Sequence, residues 1–355
     1  MDEKRAEALN ERMFTEMVGG MGLLAVYLGH RLALFKELAK SGPVTVSQLA
    51  QRTNLSERYL HEWLLAVATS EYVEADASGE IFTLSEEHAA VLADEDSPYF
   101  IGAYPGLLQG LAMAIDPLLE AFKSGGGVRY EDYGKHLREG LALTGRPMFK
   151  HEYVQKWIPT MPNVEAKLKR GARVADVGCG VGWSSIFLAK HFELAVIDGI
   201  DVDEESIAEA RRIADQQGVN DRVQFHACAI EEFKFNVASP YDLVTAFECL
   251  HDIPYPVQAL SRMRKMASPG GTVFIADMAG GEGFSDNNNH PLGRFFYNVS
   301  LLHCLPQAMV FPEAAGTGTA ISESTVRAYA HEAGYRKASV LGIENPFYRF
   351  YQLTP

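Results

Sequence analysis

The stretch VADVGCGVGW sets Asp176, Gly178, Gly180 and Gly182 at alternate positions where a short apolar run ends. A main chain without Cβ atoms lets a ligand approach closely. Asp201 follows 21 residues beyond Gly180, at the end of the next apolar run in AVIDGIDVDEESI. An ionised carboxylate there accepts hydrogen bonds from both hydroxyls of a ribose. Asp198 is the competing acid, but it lies inside the run. Further along, FECLHDIP brings Glu248, His251 and Asp252 together. An imidazole with an unperturbed pKa of ~6.5 is available as a base near neutral pH, and a carboxylate that hydrogen-bonds it fixes its orientation. Asp252 and Glu248 are both candidates for that carboxylate. The competing reading has His251 cap the next helix or satisfy backbone carbonyls, while Cys249 beside it reads as packing. The four cysteines, Cys179, Cys228, Cys249 and Cys304, have no metal or disulfide-framework spacing, so no metal is expected and a reducing cytoplasm fits.

A dinucleotide and S-adenosylmethionine both lay an adenosine across the carboxyl ends of parallel strands. The dinucleotide fingerprint G-x-G-x-x-G would need glycine at 183, where this chain has Trp183. The G-x-G-x-G turn after an acidic residue instead resembles the first motif of class I methyltransferases. That resemblance implies S-adenosylmethionine as cofactor, held by Asp176, Gly178, Gly180, Gly182, Asp201 and Val202, with Phe247 at the end of the fourth strand. Where the superfamily often has Gly-Asp-Ala after the third strand, this chain has Ala227-Cys228-Ala229, and backbone groups of Cys228 and Ala229 are expected to take over the adenine contact. SPGGTVFIAD supplies the Pro-Gly-Gly turn that enters the fifth strand in most of these proteins.

The segments GGGVRYEDYG, DVGCGVGWSS, TAFECLHD, LLHCLP and IENPFYRFYQL resemble, in order, a bacterial family of two-domain methyltransferases. A winged-helix dimerisation domain ahead of the catalytic fold is similar to small-molecule O-methyltransferases of the plant and polyketide-tailoring type. In those enzymes LHD carries the catalytic histidine, so the resemblance assigns that role to His251. The aromatic segment NNNHPLGRFFYNVSLLHCLPQAM, with Phe296, Tyr297 and His303, is expected to roof a pocket for an apolar or aromatic acceptor. His303 and Cys304 also invite a reading as ligand or nucleophile, against core packing at helical spacing. Tyr153 and Trp157 share one helix face, which either closes over the cofactor or packs on the sheet.

The elements that must position these residues alternate between short apolar runs and amphipathic helices from about residue 171, the pattern of a parallel sheet wrapped by crossovers. Strands are expected at 173–177, 194–201, 223–227, 243–247 and 272–277. The fold class is therefore α/β, and the resemblance implies a Rossmann-like seven-stranded methyltransferase sheet behind an N-terminal helical, winged-helix domain. Residues 1–96 form that dimerisation domain, 97–145 connecting helices and a loop, and 146–355 the catalytic domain. Thr45 and Gln48 form a capping box, Ser56 starts the next helix, and two strands flank an Asp76–Gly79 turn as a wing. Met13, Phe14, Met17, Met21, Leu24 and Tyr27 make an apolar stripe for a core or a second subunit.

The net charge of −14 opposes nucleic acid and anionic membranes as partners. Residues 1–96 carry 8 Lys and Arg against 17 Asp and Glu, so the winged helix is expected to dimerise rather than read DNA. The uncharged run 97–115 contains Pro98, Pro105 and Gln109 and reads as buried helices. Two other function classes remain open at this point: a cofactor-binding transcriptional regulator, and an enzyme that uses the cofactor on the same fold for a reaction other than methylation.

Overall fold

The computed structural model describes residues 1–354, and the chain divides into two compact units. One comprises residues 1–110 with 135–147, the other residues 111–134 and those from 148 onward, so the segment between wing and catalytic domain contributes to both.

In the first unit α1 (Glu3–Arg31) and α2 (Leu34–Ser41) precede β1 (Val44–Thr45), α3 (Val46–Thr53), α4 (Glu57–Thr69), β2 (Glu74–Ala75) and β3 (Ile81–Thr83). The Thr45–Gln48 capping box forms as expected, whereas Ser56 caps α4 without a side-chain bond. Asp76 closes the wing by accepting from the backbone N–H of Glu80 and Ile81 at 2.8 and 3.0 Å. Strand order β1-β3-β2 completes a three-stranded wing around a core that includes Leu38, Leu49, Leu64 and Phe82. The stripe on α1 does not enter that core: Met13, Phe14, Met17 and Met21 are each more than half exposed, and the helix buries only Val26 and Gly29. Arg58 of α4 is paired with Glu62 one turn on, at 2.5 Å.

The second unit is built on a seven-stranded sheet of β4 (Arg173–Val177), β5 (Val196–Asp201), β6 (Val223–Ala227), β7 (Tyr241–Phe247), β8 (Ala267–Met278), β9 (Lys337–Val340) and β10 (Tyr348–Thr354), in the order β6-β5-β4-β7-β8-β10-β9. The first five in that order are parallel, and β10 runs antiparallel to both neighbours. The central strands β4, β7 and the second half of β8 are covered on both faces and read as mainly apolar runs, whereas β6 at the edge alternates buried and exposed residues. The expected strands all form. Leu194 lies outside β5, β7 starts two residues early, and β8 extends back to Ala267. The Pro-Gly-Gly turn sits in an irregularity of that extension, where pairing jumps from Tyr241↔Ala267 to Leu243↔Thr272.

From β4 the chain steps outward through β5 and β6, then returns to place β7 on the other flank of β4. The crevice at the carboxyl ends of β4 and β7 is thus the switch point where ligands bind in open α/β sheets. The loop after β4 carries the glycines and the loop after β7 carries His251. Among the described residues no single helix is long and apolar enough to cross a membrane.

Candidate active site

The three glycines of the loop have different neighbours. A Cβ on Gly178, where φ is +68°, would lie 2.6 Å from Cys249 Sγ and 2.7 Å from Cys249 Cβ. At Gly182 it would lie 2.4 Å from the Phe225 ring. These two positions need glycine for the protein's own packing. Gly180, with φ +51°, has no atom within 4 Å of its missing Cβ. It alone of the three faces open space, and its N–H donates to Asp201 Oδ2 at 2.8 Å. The other oxygen of Asp201 accepts from the Asp203 N–H at 2.9 Å, so both carboxylate oxygens are fixed by backbone donors. Burial raises its pKa against those N–H donors.

Asp176 sits beneath the loop, 3% exposed, and accepts hydroxyl protons from Ser184 (2.5 Å), Ser185 (2.7 Å) and Thr245 (2.7 Å). Its place is one of support: it ties β4, β7 and the following helix together. Burial raises its pKa in spite of the three hydroxyls. Val202 is 70% exposed at the end of β5. Cys228 extends the β5–β6 ladder by donating its N–H to Asp201 O at 2.9 Å, which brings the 228–229 backbone beside Asp201. Asp198, the competing acid, is occupied elsewhere by His226, Tyr241 and Arg173.

Phe247 closes β7 within an aromatic cluster. Tyr153 and Trp157 pack on it with ring centroids 4.8 and 5.9 Å away, and Trp157 also meets Phe350 at 4.7 Å. Tyr153 and Trp157 are both buried, on a π-helical stretch from Phe149 to Trp157. Of the two expected roles for this face, packing on the sheet is the one the structure displays.

The chain turns abruptly after β7. Glu248 has φ +54°, a left-handed conformation that is costly for a residue with a Cβ. Burial pushes its carboxyl up to about 7, opposed by a hydrogen bond from Tyr348. The turn delivers His251 into a buried position, 2% exposed. Its Nδ1 bonds Asp277 Oδ1 at 2.5 Å, and its backbone N–H donates to Asp277 Oδ2 at 3.2 Å. Asp277 therefore orients the ring, a role the sequence reading gave to Asp252 or Glu248. Asp252 lies on the other side, Oδ1 3.3 Å from Nε2 and without a hydrogen-bond partner. Burial alone would favour neutral imidazole, but the carboxylates of Asp252 and Asp277 outweigh it and hold the His251 pKa well above its ordinary value.

Of the roofing segment, Phe296 is fully buried and Tyr297 is 39% exposed, with its hydroxyl accepting from Asn287 Nδ2 at 3.3 Å. His303 and Cys304 lie on a second π-helical stretch, Ser300–Cys304, and π-turns recur at functional sites. His303 packs edge-on against Tyr133 at 4.8 Å, and its Nδ1 is 3.5 Å from Cys304 Sγ. Its Nε2 is buried without a partner, and burial lowers its pKa. Cys304 Sγ, Asp252 and His251 converge, with one donor atom of each within 4.8 Å of the others.

Sequence reasoning missed Asp277, Ser184, Ser185 and Thr245. Asp277 did leave a signal, since an acid ending the apolar run FIAD must find a partner when buried.

A β-sheet that exposes one backbone-lined cradle and one histidine between carboxylates at its switch point defines a cofactor-dependent group-transfer site. Comparison with known proteins gives that class its family. Residues 168–301 match a methyltransferase domain, and residues 19–94 match the Rv2258c-like winged helix-turn-helix domain. The ubiquinone biosynthesis O-methyltransferase of Bordetella avium is 32% identical over 189 residues, 52% of this chain and 71% of that protein. The enzyme of the same name from Pseudomonas savastanoi is 30% identical over 188 residues, 52% of this chain and 73% of its own. The chain belongs to the S-adenosylmethionine-dependent methyltransferases. Among solved structures, human N-acetylserotonin methyltransferase in complex with its cofactor superposes with a TM-score of 0.71 at 14% identity, covering 98% of this chain and 97% of that one. Mitomycin 7-O-methyltransferase gives 0.68 at 18% identity, covering 99% of each chain. These likenesses extend the shared fold over both units.

Proposed function

We propose that the protein methylates a hydroxyl group of a small apolar or aromatic acceptor, with His251 as the general base. The observation that carries this reading is the Asp277–His251 pair at 2.5 Å, which ties up Nδ1 and leaves Nε2 as the proton acceptor. S-adenosylmethionine supplies a methyl group already activated on a sulfonium. The residues suited to hold it are Gly180, whose open face admits a ligand, Asp201, aimed at the ribose, and the backbone at Cys228 and Ala229. Phe247, Gly178, Gly182 and Asp176 shape that pocket from behind.

As the methyl group passes to the acceptor oxygen, His251 Nε2 would take the hydroxyl proton, with Nδ1 held by Asp277. Asp277 stabilises the imidazolium so formed. Asp252, with a free oxygen 3.3 Å from Nε2, adds a second negative charge. Because the two carboxylates raise the imidazole pKa above its ordinary value, the ring is a stronger base than a free histidine. Phe296 and Tyr297 flank the acceptor side, and His303 offers it an unpartnered Nε2.

The O-methyltransferases named above support the reading. The exposed apolar face of α1 supports a homodimer built through the first unit, and the acidic charge with Arg58 paired to Glu62 supports a cytoplasmic enzyme without nucleic-acid or membrane partners. The deciding experiment is His251→Ala assayed for methyl transfer over a panel of phenols, with cofactor binding measured by calorimetry. Expected is a rate loss of about 10²- to 10⁴-fold at unchanged cofactor affinity. Full activity at neutral pH sinks the base assignment.

A further inference from the structure

The cluster facing His251 contains more than a methyl-transfer base requires. With Nδ1 committed to Asp277, the ring presents Nε2 to Asp252 Oδ1 and Cys304 Sγ, and the three donor atoms lie within 4.8 Å of one another. Asp252 Oδ1 is buried with no hydrogen-bond partner, although burying a lone carboxylate oxygen is costly. If Asp252 served only to polarise His251, the oxygen would point along the N–H direction; at 3.3 Å from Nε2 it does not make that bond.

We propose that His251 Nε2, Asp252 Oδ1 and Cys304 Sγ form a binding site for a zinc-type divalent cation. The donor set selects the ion class. A thiolate with an imidazole nitrogen and one carboxylate oxygen favours zinc or cobalt over magnesium and calcium, which take oxygen shells. Ligand bonds of about 2.0 to 2.3 Å put tetrahedral ligands roughly 3 to 4 Å apart, so a contraction of about 1 Å closes the observed triad around an ion. Asp277 supplies the outer support that such sites use, a carboxylate accepting the other ring N–H and fixing which nitrogen faces the metal. Three protein ligands leave a fourth position open.

The consequence for activity rests on the base reading above. An ion on Nε2 occupies the lone pair that would take the acceptor's proton, so the loaded protein is slowed. Zinc would thereby regulate the enzyme through its own base.

The test uses the full chain, stripped with a chelator and titrated with Co²⁺, with absorption reporting thiolate-to-metal charge transfer and tetrahedral geometry. Expected is one cobalt per chain with the thiolate band, displaced by Zn²⁺. The band should vanish in Cys304→Ser, which leaves Cys179, Cys228 and Cys249 in place, and Asp277→Asn should weaken binding about 10- to 100-fold. Circular dichroism and cofactor calorimetry establish that each variant is folded. No stoichiometric cobalt, or a thiolate band that survives Cys304→Ser, overturns the site and leaves the base assignment untouched. Stoichiometric binding that does not slow methyl transfer keeps the site and overturns the base.

Discussion

The two loops that meet at the switch point are finished to different degrees. Around the loop after β4 the acids are satisfied internally: Asp176 within β4 by three hydroxyls, and Asp201 at the end of β5 by two backbone N–H groups. After β7 the chain holds Glu248 in a left-handed conformation, buries His251 between carboxylates, and leaves Asp252 Oδ1 and His303 Nε2 without partners. The first loop is shaped before its ligand comes, so little reorganisation is needed on binding. The second carries uncompensated polar groups that an acceptor or ion can satisfy. Affinity for the cofactor and reactivity toward the acceptor are therefore separable by mutation.

The largest effect beyond loss of His251 itself is expected from a methyl group added to the finished side. Gly178→Ala sets a Cβ against Cys249 in a positive-φ turn, and a stability loss of roughly 2 to 4 kcal/mol follows from overpacking plus backbone strain. Gly180→Ala meets no neighbour and should cost only about 1 to 2 kcal/mol of stability, while weakening S-adenosylmethionine more than its stability effect accounts for. Denaturant melts beside calorimetry distinguish the two. Equal loss of stability at both positions breaks the division into packing and ligand-facing glycines.

Asp277→Asn tests the other loop. It should lower the rate roughly 10- to 100-fold, as loss of an orienting partner does at metal-bound histidines, while cofactor affinity holds. The pH profile carries the sign. Wild-type His251 has its pKa raised, so activity that needs neutral imidazole rises with pH to a limb above the ordinary histidine value. Removing the Asp277 charge should move that limb to lower pH. A limb that stays in place, or moves upward, excludes His251 as the titrating base.

Asp201→Ala should weaken the cofactor by about 1 to 3 kcal/mol, the loss of charge-assisted hydrogen bonds to the ribose, read by calorimetry with acceptor kinetics unchanged at saturation. Smallest is Thr45→Ala, which removes the capping box of α3 and should cost about 1 kcal/mol in the melt of the first unit with methyl transfer unaltered.

The same contrast explains what the sequence disclosed. The glycine loop and Asp201 were legible because they are local: spacing along one strand and the next fixes where they end up. So were the capping box at Thr45 and the turn at Asp76, whose hydrogen bonds run between near neighbours. Asp277 as the partner of His251, and Cys304 facing Asp252, depend on the register of β8 beside β7 and on a π-helical turn, neither of which has a sequence period. The last two strands, β9 and β10, carried no residue-level expectation either, since their antiparallel placement is a long-range choice. Even the legible glycines were only half understood. Their spacing pointed to a ligand at all three, and Cys249 and Phe225 are what two of them accommodate.

The position of β10 has a consequence during synthesis. One edge of β8 pairs with β7, and the other is covered by residues 348–353 of β10, made long after the glycine loop, Asp201, His251 and Asp277 have left the ribosome. Until then a nascent chain carries its glycine loop and His251 on a sheet whose newest strand has a bare row of N–H and C=O groups. Such an edge recruits strands from other chains. Translation that pauses between β8 and β10 should therefore divert molecules toward aggregation, and a ribosome-associated chaperone that shields residues 267–278 would act on the step where yield is decided.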